Sequence, residues 1–89
     1  MRVVVIYKRA TDYGQEVEEW IQELKVRKGR DSEIEEIDPE TRDGDAMAQA
    51  YEIVQYPSIL ALDDTGRVLS SWTGLPLPRL DEVAYYLPS

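Results

Sequence analysis

An unbroken apolar run, Val3-Val4-Val5-Ile6-Tyr7, stands near the start of the chain. A strand with one face in water alternates apolar and polar residues. This run does not alternate, so both of its faces are predicted to be covered, as at the centre of a layered α/β sheet. The period then changes. Val17, Trp20, Ile21 and Leu24 fall at i, i+3, i+4 and i+7 and trace one stripe of a helix. Glu16, Glu18 and Glu19 crowd its start and Lys25, Arg27 and Lys28 its end, the order that complements the helix dipole. Asp12 and Gln15 have the spacing of a D-x-x-Q capping box, and Gly29 is placed to end the helix.

Glu33 to Asp38 is predicted to form a second strand, stopped by Pro39. Its isoleucines, Ile34 and Ile37, are three apart, which predicts a bulge or a strand end between them. Strand, helix and strand in this order imply a right-handed parallel crossover. Asp43-Gly44-Asp45 reads as a turn whose aspartates cap a short helix from Ala46 to Tyr51. Met47, Ala50, Tyr51 and Val54 form its predicted inward stripe. Ser58 to Leu62 is a third strand and Arg67 to Thr73 a fourth, joined by the hairpin turn Asp63-Asp64-Thr65-Gly66. Gly74 leads into Leu75-Pro76-Leu77-Pro78, which is extended because each proline disfavours helix in the residue before it. Leu80, Val83, Ala84 and Leu87 trace a last helix, ended by Pro88. The order is β-α-β-α-β-β-α in a single domain, residues 1–89, without repeat, linker or low-complexity tract.

Composition narrows the chemistry. The chain has 89 residues, room for one domain. Lysine and arginine total 10 against 18 aspartates and glutamates, a net charge of −8. Such a surface repels phosphate backbones, so nucleic acid is not an expected partner. No apolar run reaches the roughly 18 residues of a membrane span. The first residues are too short and too strand-like for a secretory signal, so a cytoplasmic protein is expected. Cysteine and histidine are both absent. That excludes disulfides, thiol chemistry, Cys/His zinc sites, histidine bases and Ser-His triads. Asp38, Glu40, Asp43 and Asp45 invite a calcium reading. Counted from Asp38, however, the sixth position is Asp43 instead of glycine and the twelfth is Gln49 instead of glutamate, so no metal is expected. The pairs Glu35/Glu36 and Asp63/Asp64 resemble paired carboxylates, but strand neighbours point to opposite faces, and a solvated surface is expected for both. Trp20 lies on the helix stripe and reads as core. Ser70 and Ser71 precede Trp72 and leave its burial open.

The segment Tyr51-Glu52-Ile53-Val54-Gln55-Tyr56-Pro57-Ser58 resembles the thioredoxin pattern of tyrosine, any residue, an aliphatic, three residues, proline, then Ser or Thr. The strand Ile59 to Leu62 follows, the turn ends at Gly66, and Gly74 matches the glycine before the family's last helix. The likeness covers nearly the whole chain and is strongest from Tyr51 to Gly74. At the size of a glutaredoxin, it implies a thioredoxin-like α/β fold. The four-stranded mixed sheet would have the order 2-1-3-4, its third strand antiparallel to its first. Helices 1 and 3 would lie on one face and helix 2 on the other. The resemblance also implies a cis bond between Tyr56 and Pro57, facing the start of helix 1.

The family's activity resides in a Cys-x-x-Cys motif. In the glutaredoxin register, five residues past Tyr7, the matching segment is Asp12-Tyr13-Gly14-Gln15. A carboxylate and an amide cannot carry out thiol exchange. The family's buried Asp and Lys match Ile6 and Ile34. The expectation is a redox-inactive member with no catalytic residue and no cofactor. A carboxylate at a helix N-terminus occupies the positive end of the dipole and disfavours a further anion. This weakens the alternative of a glutathione- or small-thiol-binding enzyme, for which Arg9 would be the basic residue. A structural subunit of a larger assembly is another alternative. Carried over by motif, the partner surface comprises Tyr13 and Gly14, Tyr56 with Pro57, and Gly74 with Leu75, extended by Leu77. Tyrosine combines apolar area with a polar tip, which suits an interface. The expected partner is a protein or an extended peptide, neither nucleic acid nor membrane.

Overall fold

The computed structural model describes residues 1–29 and 34–87. Its elements are β1 (Arg2–Ile6), α1 (Gly14–Lys28), β2 (Ile34–Ile37), α2 (Arg42–Ala50), β3 (Ser58–Leu62), β4 (Val68–Thr73) and α3 (Leu80–Ala84). The four strands form one sheet in the order β2-β1-β3-β4. β2 runs parallel to β1, while β3 runs antiparallel to both β1 and β4. Glu33 and Pro88, assigned above to a strand start and a helix end, lie outside the described residues.

Both faces of β1 are covered, as its unbroken apolar run requires. On one face Val3, Val5, Tyr7 and Ile59 pack with Val17, Ile21 and Leu24 of α1 and with Val83 of α3. On the other face Val4, Ile6, Leu60 and Leu62 meet Met47, Tyr51 and Ile53, in and after α2. Burying a side chain of this size stabilises by about 1.5–3 kcal/mol relative to leaving it exposed. Ile6, matching the family's buried aspartate, is fully buried among apolar neighbours, and Ile34 packs against the α1 cluster.

Four local expectations are corrected. β2 carries no bulge, because it pairs with β1 residue for residue, from Val3 with Ile34 to Ile6 with Ile37. A spacing of three puts the isoleucines on opposite faces, and each feeds a different cluster. α2 begins at Arg42, not Ala46. Thr41 is its cap: the backbone there is extended and the hydroxyl accepts from the Gly44 N–H at 3.1 Å. Asp43 and Asp45 therefore lie in the first turn. α2 stops at Ala50 and Glu52 has φ 57, so the helical stripe does not reach Val54, which is 92% exposed. Ala50 is also exposed, and Ala48 is the buried alanine. At the start of α1 no capping box forms. Tyr13 precedes the helix with no side-chain cap, the Gly14 N–H donates to the Thr11 carbonyl, and Gln15 reaches along the helix to Glu19.

Candidate functional site

The loop between β1 and α1 closes on itself. The Thr11 hydroxyl donates to the Lys8 carbonyl at 2.6 Å, and Gly14 is buried against the loop backbone. A Cβ on Gly14 would collide with the Arg9 carbonyl oxygen, so the glycine of Asp12-Tyr13-Gly14-Gln15 answers a steric demand. Asp12 and Gln15 are exposed at this end of the helix.

Two further segments meet each other. The Gly74 N–H donates to the Pro57 carbonyl at 2.8 Å, with Gly74 at φ 76, where a side chain is strained. The side chain of Gln55 lies against Gly74. The peptide bonds Tyr56–Pro57 and Leu75–Pro76 are cis. Pro57 is buried, Tyr56 half-buried, and Leu75 is 52% exposed. Among the described residues the backbone N–H and C=O of Tyr56 have no hydrogen-bond partner. Downstream, the Trp20 indole N–H donates to the Pro78 carbonyl at 2.9 Å and fixes the proline segment to α1. Trp20 is core as expected, and Trp72 is half-buried, edge-on to Tyr86.

The two tyrosines take different supports. Tyr13 leans on the cluster beneath α1 and α3, whereas Tyr56 leans on the cluster beneath α2, with the Lys8 ammonium 5.3 Å from its ring centroid. Val54, fully outside the expected surface, is the most exposed large apolar residue described and lies two residues before Tyr56. The helical period put it on the inward stripe of α2, so the sequence pattern pointed away from an exposed role.

Glu36 corrects the solvated-pair reading. Glu35 faces Arg2 at 2.6 Å, but Glu36 accepts from the buried Tyr7 hydroxyl at 2.9 Å, with Lys25 at 3.7 Å and Arg9 at 3.8 Å. Arg9 also lies over the Tyr7 ring, 5.8 Å from its centroid. An open groove of about 880 Å³ adjoins this group, lined by Arg9 and Gln15 together with Glu18, Glu19, Glu23 and Glu36. Among the described residues its one lining cation, Arg9, is already engaged by Glu36, and its glutamate rim repels anions. Among the described residues no cluster of carboxylates is arranged to hold a metal ion. No helix described is long and apolar enough to cross a membrane.

Burial, reinforced by the Glu36 carboxylate, pushes the Tyr7 phenol well above its ordinary value of about 10. The folded chain keeps this proton where the unfolded chain releases it. The group leaves stability unchanged below about pH 10 and lowers it as the pH rises further. Urea unfolding of the wild type and of Tyr7→Phe, compared across that range, is expected to show a shallower alkaline decline for the variant. Equal declines would contradict the assignment.

No family model matches the chain, and no curated protein sequence does. Its fold has close counterparts among solved structures. Thioredoxin 1 from the thermophilic eubacterium Thermosipho africanus TCF52B superposes with a TM-score of 0.69 at 15% identity, over 97% of this chain and 89% of that one. A malarial protein superposes with a TM-score of 0.61 at 12% identity, over 81% of this chain and 78% of the other. With the sheet order, the crossover and the helix layers described above, these place the chain in the thioredoxin-like fold, without a cysteine anywhere in its sequence.

Proposed function

We propose that this domain is a redox-inactive thioredoxin-like module that holds an extended segment of a protein partner against Tyr13, Gly14, Tyr56, Pro57, Gly74 and Leu75. The observation that carries this reading is the open backbone of Tyr56, beside a Pro57–Gly74 bridge whose next residue, Leu75, is half exposed. An extended peptide can pair with that N–H and C=O as an added strand while its side chains rest on apolar neighbours. Leu75 and Val54 provide such neighbours.

The thiol-binding alternative has less support. Arg9 is occupied by Glu36 and Tyr7, and the adjoining groove is rimmed with glutamates, where the carboxylates of glutathione would be repelled. An insulin-reduction assay with added glutathione separates the two readings. No turnover above the glutathione control is expected, and melting curves with and without reductant are expected to superimpose. Clear turnover would favour the thiol-binding enzyme.

Alanine at Leu75 is expected to change stability by no more than about 0.5 kcal/mol, since the side chain is half in water. The same change is expected to weaken a captured partner by roughly 1 kcal/mol or more. Tyr56→Ala is expected to weaken the partner similarly, with a moderate fall in melting temperature, because its ring also supports the α2 cluster. Unchanged affinity in both variants would remove this face from the account.

A further inference from the structure

We propose that the partner segment held at the Tyr56 face carries a lysine or arginine whose side chain lies in the groove between α1 and the Pro76–Leu77 stretch. This rests on the binding reading above and names the partner's chemistry. The groove has a volume of about 310 Å³ and is lined by Trp20, Pro76 and Leu77 together with Glu16, Glu19 and Glu23. Pro76 and Leu77 directly follow Gly74 and Leu75 of the candidate face, so the groove continues that face along the chain. The Trp20 indole, donating to the Pro78 carbonyl, ties its apolar side to α1.

Charge selects the occupant. Glu16, Glu19 and Glu23 stand three and four residues apart on one side of α1, and all are exposed. Like charges at these spacings weaken a helix. Among the described residues no cation lies within ion-pair distance of any of the three. Glu19 accepts only from the Gln15 amide. Lys25 and Arg79 are engaged elsewhere, by Glu36 and Asp81. An acidic segment is repelled here, and a neutral one leaves the carboxylates unmatched. A lysine or arginine suits both halves of the groove. Its methylene stem lies on Trp20, Pro76 and Leu77 while its charged head meets the glutamates. The contact is made through side chains, so the backbone hydrogen bonds of α1 stay as they are.

Amide and indole N–H spectra of the full chain, titrated with three octapeptides, test this. Each peptide alternates valine with one other residue, which is lysine, glutamate or threonine. The lysine peptide is expected to bind roughly tenfold more tightly than the glutamate peptide, and to shift the Trp20 indole N–H as well as the Tyr56 amide. Glu19→Gln with Glu23→Gln is expected to weaken the lysine peptide roughly threefold or more and to leave the threonine peptide unchanged. Glu40→Gln with Asp43→Asn removes as much charge at the start of α2, on the other face of the sheet, and is expected to leave both peptides unchanged. Three peptides that bind alike at Tyr56, a Trp20 indole that stays still, or double variants that weaken the lysine peptide equally would overturn the groove and leave the face standing. If no peptide moves the Tyr56 amide, face and groove fall together.

Discussion

Ile21→Ala is expected to lower the free energy of unfolding by about 2–5 kcal/mol, the range for truncating a fully buried aliphatic side chain. Ile21 is 0% exposed at the middle of α1, between Val17 and Leu24 on the stripe that fastens this helix to the sheet. The outward face of α1 carries Glu16, Glu19, Gln22 and Glu23, all exposed, so nothing there replaces a lost contact. Domains of this kind have a total stability of about 5–15 kcal/mol, so the loss is a large share of it. Val26, on the same helix but 80% exposed, provides the comparison. Val26→Ala is expected to stay within about 0.5 kcal/mol of the wild type. Urea unfolding measures both, and similar losses would contradict the orientation of α1.

Gly14→Ala is expected to destabilise the domain by about 1–3 kcal/mol, the usual cost of overpacking. Helix propensity works the other way, since alanine is better than glycine in a helix by about 1 kcal/mol. Sterics decide the sign. The new methyl would meet the Arg9 carbonyl, which is backbone and cannot rotate away like a side chain. The loop from Lys8 to Tyr13 must then move, and with it the start of α1 beside the candidate face. Amide chemical shifts that change at Arg9 and Thr11, together with a lower unfolding midpoint, are the expected signature. A stabilised variant would show that the loop yields freely.

The parts of this architecture that could be read from sequence are those where one physical rule acts alone. The apolar runs of β1 and β3 and the stripe of α1 each bury what the pattern says they bury. The Asp63–Gly66 turn is similar. Asp63 accepts from the Thr65 N–H and hydroxyl and from the Arg67 N–H, and Gly66 takes φ 87. Reading failed where two signals competed. At α2 the turn-forming aspartates Asp43 and Asp45 read as caps, but Thr41 caps the helix, which places its start before Ala46. Val54 continued a helical period that Glu52 had already broken. Glu36 was beyond the reach of any local pattern, because Tyr7 and Lys25 converge on it from different elements. At the candidate face, the likeness to thioredoxins pointed to Pro57 and Gly74, and the structure joins them through one hydrogen bond. That Tyr13 and Tyr56 rest on different sides of the sheet depends on side-chain direction, which a motif does not contain.

The proposed binding face is tested most directly by amide hydrogen exchange of the full domain, free and saturated with a protein partner captured from the source cell. The account expects slowed exchange at Tyr56 and at Gly74 and Leu75, with the outer face of α1 unchanged. Protection confined to Glu16, Glu19 and Gln22, with Tyr56 exchanging as in the free domain, would contradict it.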